Sequence, residues 1–340
     1  MSLGFLTRLK ILWALYDIQK IYYPILAAVG VPVNLVTIVI LSRRRCGLSK
    51  CVTSYLLAMA MADLLVVIVD LILRQIPIVY REEFNFVRIV PLCNIHAILL
   101  YAATDCSVWF TVTFTFDRCT AICWQKLKSK YCIEKIAIMV LGTVTALSCF
   151  KNTFWYFLYS RDYWLSNNPW FCRVTLEVSR SLAWFVIELM HYILTPFIPF
   201  LLILLFNALT VRHIIVASRA RRRLQGQGQS ESHKDQEMGN RRKSMILLFV
   251  ISGNFMLLWA VFMVSSIWRR LDYLGKIWTI ISLPTFVSEI GSMLQLLSCC
   301  TNTFIYVLTQ RKFKQELRNG VQYPLAMIVK LCQLMKQSFS

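Results

Sequence analysis

Six carboxylates stand inside stretches that are otherwise apolar: Asp63, Asp70, Asp105, Asp117, Glu188 and Glu289. A charged side chain at the centre of a membrane helix costs at least ~2.5 kcal/mol when it faces lipid. Each must therefore face a bundle interior, a wet site or a helix end. The chemistry open to such groups is binding and switching, because a buried carboxylate requires a cation or a set of hydrogen-bond donors. Asp117 is followed directly by Arg118, and helical steps back from that arginine give Thr111, Ser107 and Thr104, a polar stripe in an apolar run. Asn302 and Tyr306, four residues apart, share one helix face. No hydrolytic triad, metal-ligand cluster or phosphate-binding glycine loop of suitable spacing accompanies them, which argues against an enzyme.

The elements that must position these groups are membrane helices. The chain has 340 residues, of which 57% are hydrophobic and 16% charged, against about 25% charge in a soluble domain. Its apolar residues fall into seven runs: Tyr22–Leu41, Val52–Leu73, Pro91–Cys123, Ile136–Trp155, Leu182–Val211, Met245–Trp268 and Trp278–Leu308. Each reaches the roughly 20 residues that cross a bilayer as helix. The expected fold is an all-α membrane protein, a seven-transmembrane helix bundle over residues 22–308. An extracellular tail over 1–21 precedes it and a cytoplasmic tail over 309–340 follows. In that last tail Phe313, Leu317 and Val321 recur at spacing four among basic residues, which predicts a short amphipathic helix on the inner leaflet, ended by Pro324.

The net charge of +20 raises the question of nucleic acid, but no soluble module presents a basic face. The charge instead sorts by side. With the N-terminus outside, the inner segments hold 23 Lys and Arg and the outer ones 12, so the C-terminus is cytoplasmic. The stretch 218–243, with Arg219, Arg221, Arg222 and Arg223 before a Gln/Gly/Ser run, reads as a solvated inner loop. Trp155, Tyr156, Tyr159, Trp164, Trp268 and Trp278 suit the outer interfacial belt. Twelve cysteines scattered through apolar stretches are no secreted disulfide framework.

Several strings in this order resemble the rhodopsin-like (class A) G-protein-coupled receptors. Asn34 matches the helix-one asparagine, and Leu57-Ala58-Met59-Ala60-Met61-Ala62-Asp63 resembles the helix-two motif. Asp117-Arg118-Cys119 resembles Asp-Arg-Tyr, Leu258-Trp259-Ala260-Val261 resembles Cys-Trp-x-Pro, and Pro199 the helix-five proline. Asn302-Thr303-Phe304-Ile305-Tyr306 resembles Asn-Pro-x-x-Tyr. Within the family the closest likeness is to the orphan receptors numbered 139 and 142, through Tyr55-Leu56-Leu57-Ala58, Trp109-x-Thr111-Val112 and Met293-Leu294-x-Leu296-Leu297. Three positions depart from the pattern. Val261 and Thr303 replace the helix-six and helix-seven prolines, and Arg241 stands where an acid would pair with Arg118.

The resemblance implies a receptor that converts binding of an extracellular ligand, an aromatic amino acid or small peptide, into activation of a heterotrimeric G protein at the plasma membrane. It assigns coupling to Asp117, Arg118, Asn302 and Tyr306, and a packing switch to Pro199, Val108, Phe255 and Trp259. It implies a Cys93–Cys172 disulfide on the outer face. Asp63, Ser107, Ser298 and Asn302 would surround a sodium ion, or else a water-filled polar network without one. The ligand candidates are Leu100, Thr104, Asp105, Glu188, Trp259 and Glu289; Asp105 and Glu289 have the alternative of an internal pair with Arg180, Arg269 or another helix. Membrane lipids are further partners, through the basic inner loop. Two other readings stay open. One is a receptor-like protein with lost or constitutive signalling, prompted by Val261 and Thr303. The other is a transporter or channel, which would need interrupted helices across the whole depth.

Overall fold

In lipid a backbone amide has no partner but the chain itself, so apolar runs of this length fold as helix. The computed structural model describes residues 3–80, 90–158, 182–224, 232–274 and 285–320. Helix α1 is Leu3–Ser42. Helix α2, Lys50–Val66, runs on through a π-helical stretch, Val67–Gln75, into Ile76–Val79. Helix α3 is Val90–Cys123 and α4 is Glu134–Asn152, with a short helix Gln125–Tyr131 between them. Helix α5 comprises Leu182–Tyr192, a π-helical turn Ile193–Phe197 and Ile198–Leu224, with a kink at Thr195. Helix α6 is Ser232–Leu274, α7 is Thr285–Thr309, and α8 covers residues 311–320.

The helices overrun the expected boundaries. Residues 3–21, expected as a tail, form the first turns of α1. The basic stretch after 218 is helical through Leu224 and again from Ser232, because Ala, Arg, Leu, Lys and Gln are strong helix formers even where nothing packs on them. Six of these rods are long and apolar enough to cross a membrane: Leu6–Ser42, Lys50–Val79, Asn94–Cys123, Phe185–Arg219, Met245–Arg269 and Thr285–Thr309. The fourth expected span falls outside that set. Helix α4 has 19 residues and gives its ends to Glu134, Lys135 and Lys151, so its apolar length is short. It nevertheless packs on α2 and α3.

The core divides into layers. Toward the inner end, Leu56, Met59, Phe114, Leu247, Ile251, Tyr306 and Phe313 form one apolar cluster. Tyr23, Leu26, Val67, Leu100 and Leu296 form a second between α1, α2, α3 and α7. Helix α8 is anchored by Phe313, which is fully buried, as the spacing of Phe313 and Leu317 predicts. Leu257 and Leu308, 76% and 83% exposed, point outward, where a bilayer covers them. Helices α6 and α7 approach to backbone contact: a Cβ on Gly291 would lie 2.8 Å from Phe262 Cα. No proline interrupts α6, so its backbone passes Gly291 with its helical hydrogen bonds intact.

Candidate functional site

The centre of the bundle is built on Asp63, which is 1% exposed. Ser107 Oγ on α3 donates to its Oδ1 at 2.6 Å, and Asn302 Nδ2 on α7 donates to its Oδ2 at 2.7 Å. One turn earlier on α7, Ser298 donates to Gln295 O at 2.6 Å and accepts Trp259 Nε1 from α6 at 2.9 Å. The spacing of Ser298 and Asn302 places both on the inward face of α7, so a single face of that helix serves both α2 and α6. Asn34 on α1 donates to Gly30 O at 2.9 Å and Cys299 O at 3.0 Å. Five helices are thus joined by polar contacts in an apolar interior.

At the inner end of α3, Arg118 Nε donates to Asp117 Oδ2 at 3.0 Å, and its terminal nitrogen pairs with the same oxygen. Both residues are buried. Tyr306 is buried one turn beyond Asn302, its ring 5.8 Å edge-on from Phe313 of α8. Its hydroxyl has no hydrogen-bond partner among the described residues. In the α3–α5–α6 layer, Val108, Val112, Ile203, Phe255 and Trp259 pack as one cluster, and Phe255 stacks on Trp259 at 5.3 Å. Pro199 is buried one turn before Ile203.

Residues 33–306 match the model of the family described as 7 transmembrane receptor (rhodopsin family). The chain belongs to that family. The match begins one residue before Asn34 and ends at Tyr306, so it takes in every motif from helix one to helix seven.

In this rhodopsin-family receptor the outer carboxylates are already engaged. Asp105 accepts Lys151 Nζ and Asn152 Nδ2 from α4, each at 2.6 Å, on Oδ2. Its Oδ1 is buried without a partner. The internal partner is therefore Lys151 rather than Arg269; Arg180 lies outside the described residues. Glu289 accepts Gln19 Nε2 from α1 at 3.0 Å. Asp70 pairs with Arg74 at 2.8 Å within the π-helical stretch. Glu188 is buried on α5. Leu100 packs in the α1–α2–α7 layer, and the Thr104 hydroxyl bonds back to Leu100 O at 2.9 Å. Trp155, expected at the interface, is instead buried, donating to Asn152 Oδ1 at 2.9 Å and stacked on Tyr101 at 4.2 Å. Of the expected disulfide, Cys172 and the side chain of Cys93 lie outside the described residues.

Several structural partners carried little sequence signal. Lys151 was visible as a lone cation in an apolar run. Gln19, Asn152, Cys51 and Thr37 are ordinary residues whose roles depend on which helix lies opposite.

Proposed function

We propose that this receptor converts binding of an extracellular ligand into activation of a heterotrimeric G protein at the plasma membrane, its N-terminus outside and its C-terminus in the cytoplasm. The observation that carries this reading is the polar chain from Trp259 through Ser298 and across to Asn302 and Asp63, one helical turn apart on α7. A ligand touching Trp259 from the outer half shifts a bundle whose other end holds Asp117 and Arg118, and differential binding to two such arrangements is all that switching requires. Arg118 then leaves Asp117 to meet the G protein, with Asn302 and Tyr306 re-aimed by α7. The ligand sits among Leu100, Thr104, Glu188, Trp259 and Glu289, with Asp105 behind them. The likeness to the orphan receptors 139 and 142 supports an aromatic amino acid or small peptide.

The donor set around Asp63 suits a hard cation: one carboxylate with the hydroxyls of Ser107 and Ser298, all oxygen. Both Asp63 oxygens already accept short hydrogen bonds, so a sodium ion would be held by Asp63 only as Ser107 turns its proton aside. The basic residues Arg219, Arg221 to Arg223 and Arg241 to Lys243 face anionic lipid. The test is a screen of amino acids and peptides against the expressed receptor with readouts for each G-protein class. A ligand that activates wild type and not Arg118→Ala supports the reading; ligand-driven ion flux in reconstituted vesicles, with no G-protein response, replaces it with a channel.

A further inference from the structure

Sulfur surrounds the acid of the coupling motif. Cys51, on the first turn of α2, is 2% exposed, and its thiol donates to Asp117 Oδ1 at 3.3 Å. Cys132, half-buried in the segment that leads into α4, directs its thiol to the backbone oxygen of Asp117 at 3.6 Å. Arg118 occupies the other carboxylate oxygen. Asp117 is thus held from α2, from its own helix and from the α3–α4 connection. On α6, position 241 is an arginine and has no carboxylate to offer Arg118. What closes the inner mouth must come from elsewhere.

We infer that Cys51 and Cys132 form a thiol clasp on Asp117 that keeps the Asp117–Arg118 pair closed. The inference rests on the receptor reading above. A thiol is a weak donor, so two such contacts give a bias that opening of the bundle overcomes, where a carboxylate on α6 would give a stronger one. Losing the clasp frees the acid to rotate off α2 and loosens its hold on Arg118. It also exposes the Cys132 sulfur, which makes the clasp readable by thiol chemistry independently of any G protein.

The experiment uses the full chain in cell membranes, as wild type, Cys51→Ala, Cys51→Ser and Arg118→Ala. Basal nucleotide exchange on each class of purified heterotrimer is normalised to surface receptor. In parallel, N-ethylmaleimide labelling of Cys132 is followed by peptide mass. In that reaction the thiolate electron pair forms the S–C bond to the maleimide double bond, the thiol proton passes to water, and water protonates the other carbon. Cys51→Ala is expected to raise basal exchange and the Cys132 labelling rate about threefold, the scale of one modest hydrogen bond. Cys51→Ser, whose hydroxyl donates more strongly, is expected at or below wild type in both. Equal labelling and exchange in wild type and Cys51→Ala would overturn the clasp, as would faster labelling with unchanged exchange. If Cys51→Ala does not reach the surface, the serine variant decides: labelling and exchange no lower than wild type refute it. Wild type and Arg118→Ala alike with every heterotrimer would refute the receptor reading, while the labelling arm still tests the contact.

Discussion

The hydroxyls of Thr37 and Thr303 lie 2.8 Å apart across the seam between α1 and α7, and Thr303 also reaches Val33 O at 3.1 Å. Thr303 stands where the family pattern has a proline, so the chain exchanges a kink for a hydrogen-bonded link between two helices. Both residues are buried. Gly30 permits the close approach, since a Cβ there would lie 2.6 Å from Cys300 Sγ.

Thr303→Val keeps the shape and removes both contacts. It should destabilise the receptor by about 1–2 kcal/mol, because the hydroxyl of Thr37 and the carbonyl of Val33 lose a buried partner. The midpoint of thermal unfolding of the purified receptor in detergent checks this; an unchanged midpoint would show the link to be idle.

Lys151→Met leaves the Asp105 carboxylate buried with only Asn152 to satisfy it. Stranding one member of a buried ion pair costs about 3–5 kcal/mol, and partial exposure of Lys151 puts the expectation at the low end. Surface expression should fall sharply, and adding Asp105→Asn should restore it. The comparison of single and double variants by surface labelling separates a lost pair from a general packing defect.

Arg118→Ala should abolish G-protein activation while surface expression persists. Its charge serves no lipid-facing purpose, and Asp117, near the inner end of α3, retains Cys51 as donor. Wild-type activation in this variant would remove Arg118 from the coupling site.

Gly291→Ala forces a methyl against Phe262, where backbone rather than a yielding side-chain end lies 2.8 Å away. Overpacking of this kind costs about 1–3 kcal/mol, relieved when α6 moves off α7. Basal G-protein activation per surface receptor should rise. Val261→Pro, which restores the kink one residue from the same contact, should raise ligand-driven activation more than it lowers expression. Normal surface levels with no gain in signalling would mean that α6 opens without a hinge.

Burial and the Asp117 charge push the Cys132 thiol up to about 11. Alkylation proceeds through the thiolate, whose fraction below that value grows tenfold per pH unit. The Cys132 labelling rate should therefore climb about tenfold per unit between pH 7 and 10 and level only near 11. A plateau near pH 8.5, the ordinary thiol range, would mean that Cys132 is solvated and away from Asp117.

The sequence by itself determined that this is a helical membrane protein of the rhodopsin family, because twenty-residue apolar runs and the cost of charge in lipid leave few alternatives. It also singled out Asp63, Ser107, Asn302, Arg118 and Trp259, since polar residues on one helix face must point inward. The partners of those residues were a different matter. That Asp105 pairs with Lys151 rather than with Arg269, that Glu289 meets Gln19, and that Cys51 and Cys132 converge on Asp117 depends on the rotation and depth of helices far apart in the chain. Periodicity fixes which residues share a face, and says nothing of which helix that face meets. The helix ends were likewise undecided, because arginine, alanine and leucine continue a helix beyond the bilayer as readily as within it. Only the packed bundle chose among the pairings, through backbone approaches such as those at Gly30 and Gly291 that set each helix against its neighbour.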